Sequence, residues 1–266
     1  GSIIEFFEGL THAAESEKYK IPLFILQGSA SLIGLFILPA LYLKVAEQIN
    51  PTAIFKKNTH IWAWILAGLI TLTFMPANSI IIEWNADINF PEFMSGFEAW
   101  ARETEDAAAR MTAMLTQFDS LGEFLLGFLV IAVFAALGEE FVFRGMIQNM
   151  LHRGLGNIHV AIWVSAFLFS LIHMQFFGFV PRLLLGGLFG YLYYWSGNLW
   201  LPIFSHMVNN GFMIVLIYLN SMNVLEFDLE NSGAAPWYAA LLFAIITSGL
   251  IFIYRKHFIK YRSVND

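Results

Sequence analysis

The sequence predicts an all-α fold, a polytopic membrane bundle of about seven transmembrane helices with room for an eighth, plus one amphipathic helix outside the bundle. Composition is the first reason: 58% hydrophobic and 13% charged residues, with a mean hydropathy of +0.64, do not suit a surface facing water. The second is recurrence, because apolar stretches long enough to cross roughly 30 Å of hydrocarbon, about twenty helical residues each, repeat along the 266 residues. The third is what is missing: these stretches lack the alternating ten-residue pattern of a membrane barrel.

In chain order the expected spans run from Ile21 to Leu43, Trp62 to Ile82, Phe124 to Phe143 (prolonged as helix to Arg153), His159 to Phe177, Arg182 to Trp195, Leu199 to Leu219 and Pro236 to Tyr254. The fifth is short enough to be tilted or re-entrant. Between the second and third, residues 83 to 120 place Phe93, Phe97, Trp100, Ala107, Ala108, Met111, Met114, Leu115 and Phe118 near helical spacing, with Glu98, Arg102, Glu105, Asp106 and Arg110 between them. This predicts an amphipathic helix lying in the outer interface and capping the bundle. Gly186, Gly187 and Gly190 share a helix face and favour close packing. The whole chain reads as one integral membrane domain, 1–266, with 83–120 as its outer segment and 121–219 as a catalytic helix core.

Lys44, Lys56 and Lys57 follow the first span, Arg144 and Arg153 the third, and Arg255, Lys256, Lys260 and Arg262 the seventh; by the positive-inside rule those sides are cytoplasmic. The opposite loops are acidic, with eight acids in residues 83–120 and Glu226, Asp228 and Glu230 before the last span. The N-terminus is therefore expected outside and the C-terminus inside. A net charge of −6 spread over such loops gives no nucleic-acid surface. Zero cysteines remove disulfides, thiolate ligands and a cysteine nucleophile. Gly1 and Ser2 read as an expression scar, and no signal-peptide pattern opens the chain.

Against this apolar background six polar residues stand inside hydrophobic helices: Glu139, Glu140, Arg144, His173, His206 and Asn210. Ionisable groups in hydrocarbon are costly, so such a cluster marks a functional site by default. Glu139 and His173 each stand 17 residues from Gly156, the expected hairpin turn, and so lie at one depth. His206 counts as shallower unless the hairpin tip projects into the cytoplasm, which would set the site in the cytoplasmic half. Glu140 and Arg144 are four apart and pair along one helix face, Glu139 is rotated away by roughly 100°, and His206 and Asn210 share a face of another helix. A free carboxylate in an apolar site is a base for water, His173 can hold that water and pass a proton to a leaving amine, and His206 with Asn210 can donate to an oxyanion. Peptide hydrolysis needs this inventory.

The order Glu139-Glu140-x3-Arg144, Phe169-x3-His173, His206-x3-Asn210 resembles the three motifs of the CPBP family of intramembrane proteases, which holds the type II CAAX prenyl proteases and the bacterial Abi proteins. The resemblance covers residues 138 to 210 and implies a peptidase of a prokaryotic cytoplasmic membrane, eight helices rather than seven, water activation by Glu139 and His173, and an oxyanion site at His206 and Asn210, with Glu140 and Arg144 in support. Its substrate would be a membrane-associated peptide or protein, its other partner the lipid bilayer.

Plainer readings stand beside these. A lone buried histidine is more often a packing residue, Phe169 reads as core packing, Asn210 as an interhelical hydrogen bond with Asn209 as competitor, and Glu140 with Arg144 as a helix-stabilising pair. No cofactor is expected; zinc held by Glu139, His173 and His206 is the alternative, since one carboxylate and two histidines suffice for that ion. The rival functions are a proton-coupled transporter, which also uses buried Glu and His but for which no inverted repeat is visible, and a non-catalytic immunity or partner-binding protein.

Overall fold

The structure is a computed structural model that describes residues 19–55, 59–225 and 235–265, with side chains to Ile259. Among these residues eight helices and no strand occur. Helix α1 (Lys20–Val45) carries a stretch of wide, π-type turns at Ala30–Ile37. Helix α2 (Ile61–Ala86) starts where the His60 side chain accepts from the Trp62 N–H, and it continues through Pro76. After the outer helix α3 (Ser95–Thr116) comes α4 (Leu121–Leu155), capped by Ser120 and stopped by Gly156 at φ +69°. That left-handed turn is open to glycine, and Asn157 then accepts from the His159 and Val160 N–H groups to start α5 (Ile158–Leu171), so the tight hairpin lies where the sequence put it. Helices α6 (Phe179–Ser196), α7 (Trp200–Ser221) and α8 (Trp237–Asn265) complete the bundle.

Among the described residues six helices are long and apolar enough to cross a membrane: α1, α2, α4, α6 with its preceding turn, α7, and α8 over Trp237–Ile259. The difference from seven lies in the fourth expected span. Its helix, α5, has 14 residues, about 21 Å at 1.5 Å per residue, and is by itself shorter than the roughly 30 Å of a crossing, the chain continuing from its end to the head of α6 without regular α-helix. Residues 172–178 turn there into a loop and a short 3-10 turn, and the fifth segment, expected to be short, runs 21 residues from Phe176 to Ser196. Lys56, Lys57, Glu226, Asp228, Glu230, Gly1 and Ser2 lie outside the described residues, as do the side chains of Lys260 and Arg262.

Helix α4 is central, with α1 on one side and α5 and α7 on the others, while α6 fills the space between α5, α7 and α2, and α8 lies along α2. Contact with α1 is closest at Gly138, where a Cβ would stand 2.6 Å from the Ser31 carbonyl oxygen. The residue before Glu139 must therefore be very small. The end of α3 docks by Met114, Leu115 and Phe118 onto Leu23, Phe24 and Val130. Lys20, buried at the start of α1, donates to the Gln117 carbonyl and pairs with Glu123, which fastens the same corner. Ahead of that corner, Phe93 before α3 and Trp100 within it are exposed.

Candidate active site

The pair Glu139-Glu140 sits in a short α-helical stretch of α4, Ala135–Glu140, between wide-turn segments at Phe128–Phe134 and Phe141–Gln148. Such wide turns redirect side chains and recur at functional sites. Glu140 is fully sealed, at 0% side-chain exposure, and Arg144, at 1%, donates to its Oε1 at 2.8 Å. The guanidinium also donates to the Gly186 carbonyl of α6 at 2.9 Å and stands 4.6 Å over the Phe169 ring. Gly186 also lets α5 close on α6, because a Cβ there would meet Ala166 at 3.1 Å and the Phe169 ring at 3.2 Å. One turn further on, Gln148 donates to the Gly190 carbonyl at 3.2 Å. The glycine face of α6 thus does more than pack: it presents backbone acceptors to α4.

From α7, His206 reaches both glutamates. Its Nδ1 lies 2.8 Å from Glu140 Oε1 and its Nε2 3.9 Å from Glu139 Oε2. An ionised carboxylate only accepts, so the Nδ1 proton belongs to the hydrogen bond with Glu140 and Nε2 is the nitrogen left for chemistry. The expected depth conflict between Glu139 and His206 does not arise. Glu140 is also more than a helix-stabilising partner of Arg144: it orients the imidazole, while its other oxygen, Oε2, is buried without a hydrogen-bond partner among the described residues. Glu139, at 17% side-chain exposure, is the carboxylate that remains accessible.

His173 stands just past the end of α5. Its Nδ1 lies 2.8 Å from the Phe169 carbonyl oxygen, which only accepts, so again Nε2 is the free nitrogen. Its ring packs on Phe169 at 5.1 Å, and Phe169 in turn lies 6.0 Å from the His206 ring. Phe169 is therefore the aromatic hub that Arg144, His173 and His206 share, a role that its reading as core packing understates. Asn210 lies one turn beyond His206; its amide donates to the Ile131 carbonyl at 3.1 Å and its oxygen accepts from Asn209. The bond to Ile131 is the interhelical contact of the plainer reading, and together the two leave one amide hydrogen uncommitted. Arg144, His173 and His206 thus meet at Phe169, and Glu139, Glu140, Arg144 and His206 are in direct contact or nearly so, while Asn210 keeps its contacts with Ile131 and Asn209.

Residue types suited to zinc are present, but among the described residues no three of His, Asp and Glu are placed to hold a metal ion together. Sequence reading passed over Arg182, at the head of α6, whose guanidinium lies within electrostatic range of both Glu139 and Glu105. A basic residue beside Pro181 at the start of an apolar span was the available signal. Arg182 also lines, with Phe74, Asn78, Leu185 and Asn209, a cleft of about 350 Å³ between α2, α6 and α7.

A polytopic helical membrane protein with a buried carboxylate, histidine and arginine cluster at the meeting of α4, α5, α6 and α7 is the class that fold and site define. Residues 121–212 match the family model described as type II CAAX prenyl endopeptidase Rce1-like, so the resemblance carried by the three motifs holds over that segment. The chain is 34% identical over 96 residues to the membrane-embedded CAAX protease MroQ of Staphylococcus aureus, across 34% of this chain and 38% of that protein. It is 27% identical over 77 residues to a protein of Bacillus subtilis named as uncharacterized, YpbD, across 27% of this chain and 36% of the relative. The chain spans well under half the length of these relatives. No solved structure matches it.

Proposed function

We propose that this protein is a membrane-embedded endopeptidase that hydrolyses a peptide bond of a membrane-associated substrate, with water activated by Glu139. The observation that carries the proposal is the unequal treatment of two neighbouring glutamates. Glu140 is sealed and balanced by Arg144, whereas Glu139 is accessible and stands 3.9 Å from an imidazole nitrogen. That separation is too long for a direct hydrogen bond and suits groups that act on one small molecule between them. A similar match to a CAAX protease of Staphylococcus aureus supports the same chemistry.

In this reading Glu139 takes the proton of a water as its oxygen attacks the scissile carbonyl. His206, fixed through Nδ1 by Glu140, directs Nε2 at the carbonyl oxygen; carrying a proton there, it stabilises the tetrahedral oxyanion. With Glu139 protonated, the oxyanion and Glu140 balance Arg144 and the protonated His206, so the site stays neutral, which an apolar surrounding tolerates best. His173 Nε2 relays the proton to the leaving amine, and Asn210 offers its uncommitted amide hydrogen to the oxyanion. Arg144 and Glu140 support the site without touching substrate. Substrate enters laterally by the cleft at Arg182, in a prokaryotic cytoplasmic membrane with the C-terminus inside.

A proteome comparison of cells carrying the wild-type chain and Glu139→Gln tests the proposal. A full-length membrane-associated substrate should accumulate in the variant at equal expression of the two chains. Identical proteomes, with both chains folded in the membrane, would remove the peptidase reading.

A further inference from the structure

The loop that carries His173 is held from outside the bundle. Immediately after His173 the chain passes through Met174 at φ +55°, a left-handed conformation that a side chain makes costly and that surrounding contacts must enforce. Those contacts come chiefly from α3. The two oxygens of Glu105 divide between two residues of the loop: Oε1 accepts from the Gln175 side-chain amide and Oε2 from the Phe177 backbone N–H, both at 3.2 Å. Gln175 Oε1 accepts in turn from Arg182 at 2.9 Å. One turn before Glu105, Arg102 places its guanidinium 4.4 Å from the centre of the Phe177 ring. From the end of α2, Asn85 donates to the Phe176 carbonyl at 3.2 Å and accepts from the Val180 N–H at 2.8 Å.

Glu105 is conspicuous in this set because a surface helix has no need to turn a carboxylate inwards. Half-buried, it is desolvated enough that its carboxyl is held above the usual carboxylate range despite two donors and the nearby Arg182. The polar face of α3 was expected to point at water. Here one of its acids points at a strained loop one residue past a proposed catalytic histidine.

We propose that Glu105 is a positioning residue for His173, holding residues 174–177 in the conformation that sets the imidazole against Phe169, the ring it shares with Arg144 and His206, so that α3 is a working part of the site. The proposal rests on the peptidase reading for its catalytic consequence but has its own structural readout. Misplacement of a reacting group by about 1 Å can cost on the order of 100-fold in rate. Glu105→Ala should therefore lower kcat roughly 10- to 100-fold with little change in KM. Glu105→Gln keeps an acceptor for only one of the two donors and should fall between.

The experiment uses the full chain in lipid nanodiscs, with hydrogen exchange of the amides of residues 172–178 and the imidazole nitrogen signals of His173, beside cleavage of whichever substrate the Glu139→Gln comparison reveals. The expected result for Glu105→Ala is faster exchange at Phe177 and a shifted His173 signal, with exchange in α5 and α8 unchanged; if that variant does not fold, Glu105→Gln carries the same test at smaller amplitude. Unchanged loop exchange and an unchanged His173 signal would overturn the proposal, as would normal turnover by Glu105→Ala of a substrate that Glu139→Gln cannot cleave. If no substrate exists, the peptidase reading fails alone, and the exchange and histidine signals still decide whether Glu105 positions His173.

Discussion

Arg144→Ala should unfold this protein far more readily than Glu139→Gln, although the two residues belong to one cluster. Removing the guanidinium leaves Glu140, at 0% exposure, with only His206 as a charge partner, and also strips a donor from the Gly186 carbonyl and a cation from the Phe169 face. Breaking a buried pair in this way costs about 3–5 kcal/mol, because the remaining charge is uncompensated. At about 2–4 °C per kcal/mol for a chain of this size, the apparent melting temperature should fall by roughly 6–20 °C. Glu139→Gln keeps the shape of a side chain that is 17% exposed and has only a 3.9 Å contact to lose, so its stability should lie within about 1 kcal/mol of wild type. Thermal unfolding of both variants in the same detergent, followed by tryptophan fluorescence, measures the gap. Equal melting temperatures would refute the division into a supporting and a working glutamate.

Four further outcomes are expected. Strict chelation should leave turnover intact if Glu139 and the histidines act alone; loss of activity restored by stoichiometric zinc would transfer the water to a metal held by Glu139, His173 and His206. Gly138→Ala should cost about 1–3 kcal/mol by overpacking, since its Cβ would lie 2.6 Å from the Ser31 oxygen and 2.8 Å from Leu35 Cβ; a melting temperature equal to wild type would contradict the close approach of α1 and α4. Glu98, which accepts from Arg102 and from the Phe90 N–H, is held below the usual carboxylate range. Its stabilising effect is thus present above the unfolded value of 4.5 and lost as pH falls through the lower folded value, so the protection of amides at the start of α3, measured against their intrinsic exchange rate at each pH, should fall on acidification and the Glu98→Gln variant should lack that response. A C-terminal tag should be labelled only after the cytoplasmic face is opened, as the run Arg255-Lys256 predicts; labelling of intact cells would reverse the topology.

The sequence by itself determined the class of fold, because hydrocarbon leaves few ways to satisfy a backbone and helices need only their own hydrogen bonds. It also placed the hairpin at Gly156 and singled out Glu139, Glu140, Arg144 and His206, which the fold brings close together. Charged residues among apolar ones are conspicuous, and a spacing of four fixes Glu140 to Arg144 whatever the neighbours do. What only the tertiary structure decided is where helices end and which atoms meet. Hydropathy does not show where an apolar helix breaks off, and Val160, Trp163 and Phe167 give α5 the exposed apolar face of a spanning helix, so it reads as a full span although it stops at Leu171. Counting residues from a turn gives depth along one axis and nothing about rotation, and for that reason the contact of His206 with Glu140 was invisible. Glu105 was hidden most completely, since an acid on an amphipathic helix looks solvated until the loop it touches is known, and that loop lies 70 residues further along the chain.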